Sequence, residues 1–329
     1  MNIRKLLSAA VASVMAMSLL CSCGQSGVLR LGTGNTGGNY YSYGTLLHEL
    51  DENGIEVKKT AGSQANLRLM NEGFIDMAIV QSDVLSEAVN GVGDFENEPV
   101  SGVRAVAGLY DEAFQIVVRS KSDINSIADL KGKKISVGDE GSGVAKNAEY
   151  LLLSAGVDFS SVESVYMSYS DSAAALESGD IDAFFAIIGT PATVVSELAE
   201  STDIRIIAPD SRTIEYMLNI YKGYSEITIP AGTYHGQDED IPTIGVKAVL
   251  VADSDTDRQQ IKDITALLFG KSSIKYSVAV PEPDTEFAVS DIPCSFHQGA
   301  ADYYASVGIT VSTDPENDGN SFIFGAQDN

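Results

Sequence analysis

Cysteine is nearly absent from this 329-residue chain: there are three, and two of them, Cys21 and Cys23, stand at the very start. Only Cys294 lies in the body, so no internal disulfide can form and the fold must rest on its apolar core. With 44% hydrophobic residues the chain has enough material for one. Histidine is equally scarce. His48, His235 and His297 show no metal-ligand spacing and no Cys/His cluster exists, so neither a metal nor a cofactor is expected. Basic residues number 21 against 46 acidic ones, a net charge of −25. That balance excludes the basic footprint of a nucleic-acid binder. It says little about a ligand, whose charge is met by the groups lining its site rather than by the surface as a whole. Beyond the amino terminus no run approaches the roughly 18 apolar residues of a spanning helix. Catalytic patterns are missing too. There is no Gly-x-Ser-x-Gly elbow, and Cys294 with His297 reads more readily as a buried thiol beside a histidine than as nucleophile and base. An enzyme is not expected.

The first residues are built for export. Arg4 and Lys5 precede an apolar stretch from Leu6 to Leu20, too short and wrongly flanked for a spanning helix. Leu20-Cys21-Ser22-Cys23 resembles a bacterial lipobox, which implies cleavage after residue 22 and lipid on Cys23. Several acyl chains anchor stably where one does not. The expected mature protein is therefore extracytoplasmic and tethered to the cell membrane, periplasmic or at the cell surface. Residues 23–27 serve as anchor and linker. A free secreted protein is the alternative.

Against these absences stands an internal repeat. Shifted by 106 residues, Gly32 falls on Gly138, Thr36 on Ser142, Gly37 on Gly143, Gly73 on Gly179, Ile75 on Ile181 and Asp76 on Asp182. Each copy reads as an apolar run, a glycine-rich loop, a helix, and a second helix ending in Gly-x-Ile-Asp before another apolar run. So long a period is not a solenoid unit. It predicts two α/β lobes, each presenting a strand–loop–helix corner to a shared cleft.

Strand-like runs at Val28–Leu31, Ile55–Lys58 and Ile75–Val80 alternate with helical patterns, as they do again at Lys134–Val137, Ser164–Met167 and Ile181–Ile188. Such alternation predicts parallel or mixed sheets. Gly102–Tyr110 and Ala113–Arg119 read as two further strands, and Ile241–Ala252 as the strand that crosses back. Lobe I is expected to span 28–118 and 241–329, lobe II 119–240. The two crossings predict a two-stranded hinge.

The cleft residues follow from the corners. Gly32-Thr-Gly-Asn-Thr-Gly-Gly-Asn39 joins a strand to a helix, where glycines admit a ligand to the backbone and helix amides favour an anion. It lacks the acidic partner of a dinucleotide fingerprint and the Lys of a P-loop. Thr36, Gly37, Gly38, Tyr40 and Tyr41 are the candidates there. Ser63 reads as a helix N-cap or a ligand contact, and Asn66 as an amide turned to the cleft. Gln81, Ser82 and Asp83 lie past a strand's carboxyl end, where open α/β sheets place ligands; Asp83 also fits an N-cap. Ser142 and Gly143 form the second corner, Thr190 and Pro191 a wall beyond Ile188. Arg68 is the nearest cation, more readily a solvated helix residue than a counter-charge.

Taken in order, Gly32-Thr-Gly-Asn-Thr-Gly-Gly-Asn-Tyr-Tyr41, Gly62-Ser-Gln-Ala-Asn66, Gly73-Phe-Ile-Asp76, Gln81-Ser-Asp83, Leu130-Lys-Gly-Lys-Lys, Gly138-Asp-Glu-Gly-Ser-Gly143, Ile229-Pro-Ala-Gly-Thr-Tyr234 and Phe296-His-Gln-Gly-Ala300 resemble the TAXI family of solute receptors. These serve TRAP (tripartite ATP-independent periplasmic) transporters. The resemblance implies a two-lobed, type II periplasmic-binding-protein-like fold. It also implies a monomer that captures a small organic anion such as glutamate or a related dicarboxylate for a TRAP membrane permease. Asn35, Asn39 and Gln298 depart from the family pattern. Two other readings remain: an enzyme on the same fold, and a receptor for an ATP-driven importer.

Overall fold

The computed structural model describes residues 27–51, 54–221, 223–270 and 281–317. The export segment and Cys23 lie outside the described residues. Strands and helices alternate as β1 (Leu29–Gly32), α1 (Asn39–Leu50), β2 (Ile55–Lys58), α2 (Ser63–Asn71), β3 (Met77–Gln81), α3 (Ser82–Asn90) and β4 (Val103–Arg119). They continue as β5 (Lys134–Ser136), α4 (Gly143–Ser154), β6 (Glu163–Val165), α5 (Tyr169–Ser178), β7 (Ala183–Ile188), α6 (Thr193–Ser201), β8 (Ile204–Ile207) and α7 (Ser211–Ile220). The last elements are β9 (Ser225–Ile229), β10 (Ile241–Asp253), α8 (Arg258–Phe269), α9 (Thr285–Val289) and α10 (Gln298–Ser306).

The sheet order is β2-β1-β3-β10-β4-β7-β5-β6, with β8 against β4 and β9 against β10. Read from its middle outward this order is a palindrome of the repeat. In one half β1 lies parallel between β2 and β3; in the other β5 lies parallel between β6 and β7. The 106-residue offset therefore relates two three-stranded units and the helices α1 and α2 to α4 and α5. Its Gly-x-Ile-Asp signature has a structural cause. Asp76 accepts from the backbone N–H of Arg30 at 2.8 Å, and Asp182 from that of Lys134 at 2.9 Å. Each carboxylate thus holds the entry of its unit's central strand, and an Asp at that spacing is what the turn requires. Arg30 adds two side-chain bonds to Asp76, at 2.8 and 2.7 Å.

The two expected sheets are one continuous, curled, mixed sheet, because β4 and β10 run through both halves. The runs around Tyr110 and Ala113 are a single strand of 17 residues, about 55 Å at ordinary strand rise. It pairs antiparallel with the 13-residue β10 from Val103↔Asp253 to Ala113↔Gly245, with register shifts on either side of Val249 and Leu250. Beyond Ala113, β4 pairs with β7 instead. One apolar core covers the β1–β3 unit, with α1, α2, α8 and α10; two others flank the β5–β7 unit. β3 and β7 are buried throughout, which is why they read as unbroken apolar runs.

Bidentate geometry makes the half-buried Asp76 carboxylate the part of the repeat signature most open to test. Arg30 and the strand amide hold its pKa below the ordinary carboxylate range. The stability this supplies is present above the unfolded-state pKa and lost as pH falls through the folded one. Asp76→Asn should cost about 1–2 kcal/mol at pH 7 in urea unfolding. The gap to wild type should begin to narrow below about pH 4 and close only once pH has fallen through the depressed folded-state pKa.

Candidate functional site

Three helices start at the junction of the halves: α1 and α2 from one unit, α4 from the other. All three first turns wall one cavity of about 60 Å³, with Gly38, Asn39 and Tyr40 from the first, Ala61, Gly62 and Ser63 from the second, and Ser142, Gly143 and Val144 from the third. Gly62 takes the N-cap position of α2 with a φ of 118°, so Ser63 is the first helical residue and not the cap. Neither Gly38 nor Gly62 supplies a side-chain cap, which leaves the first-turn amides of α1 and α2 uncapped by any side chain. The Ser142 side chain takes the N–H of Ala145 in α4. The positive ends of three helix dipoles thus converge on one space.

The remaining wall comes from the sheet. Gln81 ends β3, Ile187 and Ile188 end β7, and Glu112 sits midway along β4. Glu112 is 2% exposed; one of its carboxylate oxygens, Oε2, accepts both from the Tyr40 hydroxyl at 3.1 Å and from Gln81 Nε2 at 2.9 Å. Burial pushes its pKa up to about 8, against the pull of those two donors, and the carboxylates of Asp83 and Asp111 add to the rise. Among the described residues no Lys or Arg lines the cavity. Asn39 is 3% exposed, and its amide nitrogen has no hydrogen-bond partner. It is an unmet donor at the cavity wall.

Six of the residues expected from sequence, Gly38, Tyr40, Ser63, Gln81, Ser142 and Gly143, meet in this cavity. The others do not line it. Thr36 and Gly37 are exposed at its rim, where the Thr36 carbonyl accepts from Ser170 of the opposite half at 3.4 Å. Tyr41 turns outward along α1, with the Lys59 ammonium 5.0 Å from its ring centroid. Asn66 is fully buried and spends its amide on the backbone: Nδ2 donates to Thr33 O and Ile79 O, and Oδ1 accepts from Thr60. Its place opposite the apolar face of α2 reflects this tie between loop and strand. Thr190 and Pro191 lie past the point where the chain leaves the cavity, because Asn39 packs over Gly189. Arg68 lies over the Phe95 ring and donates to Asp94 O, away from the cleft. Cys294 is buried and His297 caps α10 through Gly299 N–H; neither lines the cavity.

Ser82 and Asp83 belong to the seam between the halves instead. Ser82, 1% exposed, is the first residue of α3, and Gln81 takes the N-cap position, so Asp83 does not cap the helix. Asp83 accepts from Asn147 at 2.7 Å and from Tyr224 at 3.2 Å, both of the opposite half. One helical turn on, Glu87 pairs with the buried Lys146 and accepts from Tyr150 at 3.1 Å. Asn35 donates to Asp139 at 2.8 Å and Ala65 N–H to Gly141 O at 3.1 Å. The halves are thus closed on one another through polar contacts. Glu112, Asn39, Asp139 and Tyr169 were missed as lining residues. The adjacent acids Asp111 and Glu112, standing between two apolar runs, were the available sign of the first.

A family model covering residues 31–308 matches the chain, and that family is the NMT1-like family. The chain belongs to the NMT1-like family. The resemblance to TAXI receptors is corrected by this match, and the TRAP permease is set aside as partner with it. Similar solved structures share the fold at low identity. The methylphosphonate-bound PhnD1 of Prochlorococcus marinus is 14% identical over 78% of this chain and 88% of its own, with a TM-score of 0.50. A binding protein component of an ABC phosphonate transporter from Pseudomonas aeruginosa is 12% identical over 79% and 81%, also at 0.50. A periplasmic transporter structure reaches 0.52 at 14% identity, over 79% and 90%. The two α/β lobes expected from the repeat, and the periplasmic-binding-protein-like fold that the resemblance implied, are the fold observed.

Gly143 tests whether the seam is a working closure in this NMT1-like protein. A Cβ on Gly143 would overlap the side-chain oxygen of Gln81 across the cleft. Gly143→Ala should hold the lobes apart, seen as a larger radius of gyration in small-angle scattering, with little loss of melting temperature.

Proposed function

We propose that this protein is an extracytoplasmic receptor that closes two lobes, 28–118 with 241–329 and 119–240, around a small anion. One observation carries the reading: three helix N-termini from both lobes converge on a cavity that also holds a buried, unpartnered Asn39 amide and no side-chain cation. Main-chain N–H groups and amides would meet the charge, as helix N-termini do for phosphate and carboxylate groups. Small phosphonates, sulfonates and carboxylates are the candidate occupants of this cavity.

The solved neighbour that is a binding protein component of an ABC phosphonate transporter favours an ATP-driven importer as the partner, the alternative already open from sequence. The export segment and lipobox support a lipid anchor at Cys23. An enzyme on this fold is disfavoured because Cys294 and His297, the single nucleophile–base candidate, do not line the cavity.

Calorimetry on the full mature chain with methylphosphonate, methanesulfonate, acetate, glutamate and 2-oxoglutarate is the direct test. One or more should bind, and Asn39→Ala should weaken the best of them by about 10-fold or more, the worth of one hydrogen bond to a charged group, with unchanged melting temperature. Binding of none of the five, or full affinity in Asn39→Ala, would refute this site.

A further inference from the structure

Glu112 is out of place in a cavity made for an anion. It lines the space where α1, α2 and α4 converge, it is buried, and among the described residues no lysine or arginine lines that space with it. Both of its protein hydrogen bonds arrive at Oε2, from Tyr40 and Gln81. Among the described residues no hydrogen bond reaches Oε1, the carboxyl oxygen left for whatever occupies the cavity. Two negative charges cannot share so small and dry a space, so when an anion enters, one of the two must carry a proton. A sulfonate stays ionised throughout the accessible pH range. The proton must then sit on Glu112.

The surroundings favour this assignment. Asp83 on α3 and Asp111 on β4 add negative potential at Glu112, and the phenols of Tyr40, Tyr110 and Tyr169 are themselves kept neutral, with pKa values raised by burial and by this carboxyl. Asp139 faces the cavity from the second lobe and is tied to Asn35. The nearby cations are engaged elsewhere: Lys146 with Glu87 at the seam, and Lys247 on β10 with the carbonyls of Phe287 and Ser290. Burial, helped by Asp83 and Asp111 and opposed by the Gln81 and Tyr40 donors, already raises the Glu112 pKa to about 8.

Resting on the anion-receptor reading above, we propose that Glu112 enters the closed complex as a carboxylic acid and donates its O–H from Oε1 to the bound anion, so that anion and proton are captured together. The balance is simple: the receptor holds one proton on Glu112 for each anion bound, and releases it when the anion leaves at high pH. A tetrahedral or planar oxyanion satisfies this donor. An organic ammonium does not, since it would need Glu112 ionised.

The test is calorimetry on the full mature chain with methanesulfonate and acetate, neither of which titrates between pH 6.5 and 9.5, and with ethylammonium as the opposite charge. Wild-type affinity should be steady up to about pH 8 and then fall about tenfold per pH unit, the slope of one linked proton. Repeating the titration at pH 9 in buffers of different ionisation enthalpy should show uptake approaching one proton per anion, a readout that needs no variant. Glu112→Gln should bind the same anions with no pH dependence, more weakly than wild type at pH 6.5 and more strongly at pH 9.5, so the two profiles cross. Anion binding with parallel, flat profiles and no proton uptake would overturn the role of Glu112 while leaving the receptor intact. Failure at every pH of both anions and of methylphosphonate, glutamate and 2-oxoglutarate as well, or binding of ethylammonium that Glu112→Gln abolishes, would overturn the anion reading itself.

Discussion

Everything in this molecule depends on two strands being long enough to belong to both halves. Because β4 pairs with β10 over one stretch and with β7 over the next, the lobes cannot drift apart. They can only bend about the pair. The same continuity brings the carboxyl ends of β3 and β7 to opposite sides of one gap, and with them the first turns of the helices that flank each unit. A residue midway along β4 then lies at the floor of that gap whatever the lobes do. Glu112 occupies this position, while its neighbour Asp111 faces outward.

The surfaces that meet on closure are polar, which suits a receptor that must reopen. An apolar seam would gain stability in proportion to its area and hold the lobes shut. Here the contacts are Asp83 with Asn147 and Tyr224, and Glu87 with Lys146 and Tyr150. Their desolvation offsets much of what the pairing contributes. The strain of that burial shows in opposite directions on its members. Lys146 is pulled down to about 8, chiefly by burial, and Asp83 is pushed up by the same cause although Lys146 opposes it. A closure so nearly balanced leaves the bound solute to supply the differential affinity that selects the shut state.

How much of this could be read beforehand follows from what each residue does. The repeat was legible because its matched glycines and aspartates serve backbone geometry, which does not depend on the partner across the cleft. The strands were legible where burial on both faces left no polar residue to interrupt them. The polar residues of the helix starts were harder. Asn66 and Tyr40 both sit in a first turn next to a glycine loop, yet one ties the loop to β3 and the other bonds the floor of the cavity. Helical spacing tells which face a residue occupies, not whether a carbonyl or a void lies beyond it. Asp83 fell between both readings, since the residue it meets is 64 positions away on a helix of the other half. Glu112 was hidden because its charge appeared to end a strand when it marks the strand's middle.

These misreadings share a cause that also bears on selectivity. A site made from arginines announces itself in sequence, and it binds anions of many sizes by charge alone. In the proposed site charge would be met by amides fixed in three helix starts, which cannot swing to follow a ligand. Such donors reward only an oxyanion whose lone pairs fall where the N–H groups point, and they leave an ill-fitting one with unmatched groups in a dry cavity, a loss of about 1–3 kcal/mol for each. Selection by geometry then requires that nothing mobile and cationic line the space. The absence of Lys and Arg from the lining is part of the design for the same reason that Glu112 is tolerated there. In the proposed complex a neutral Glu112 would add one more directional donor without adding a charge that would bind the wrong solute.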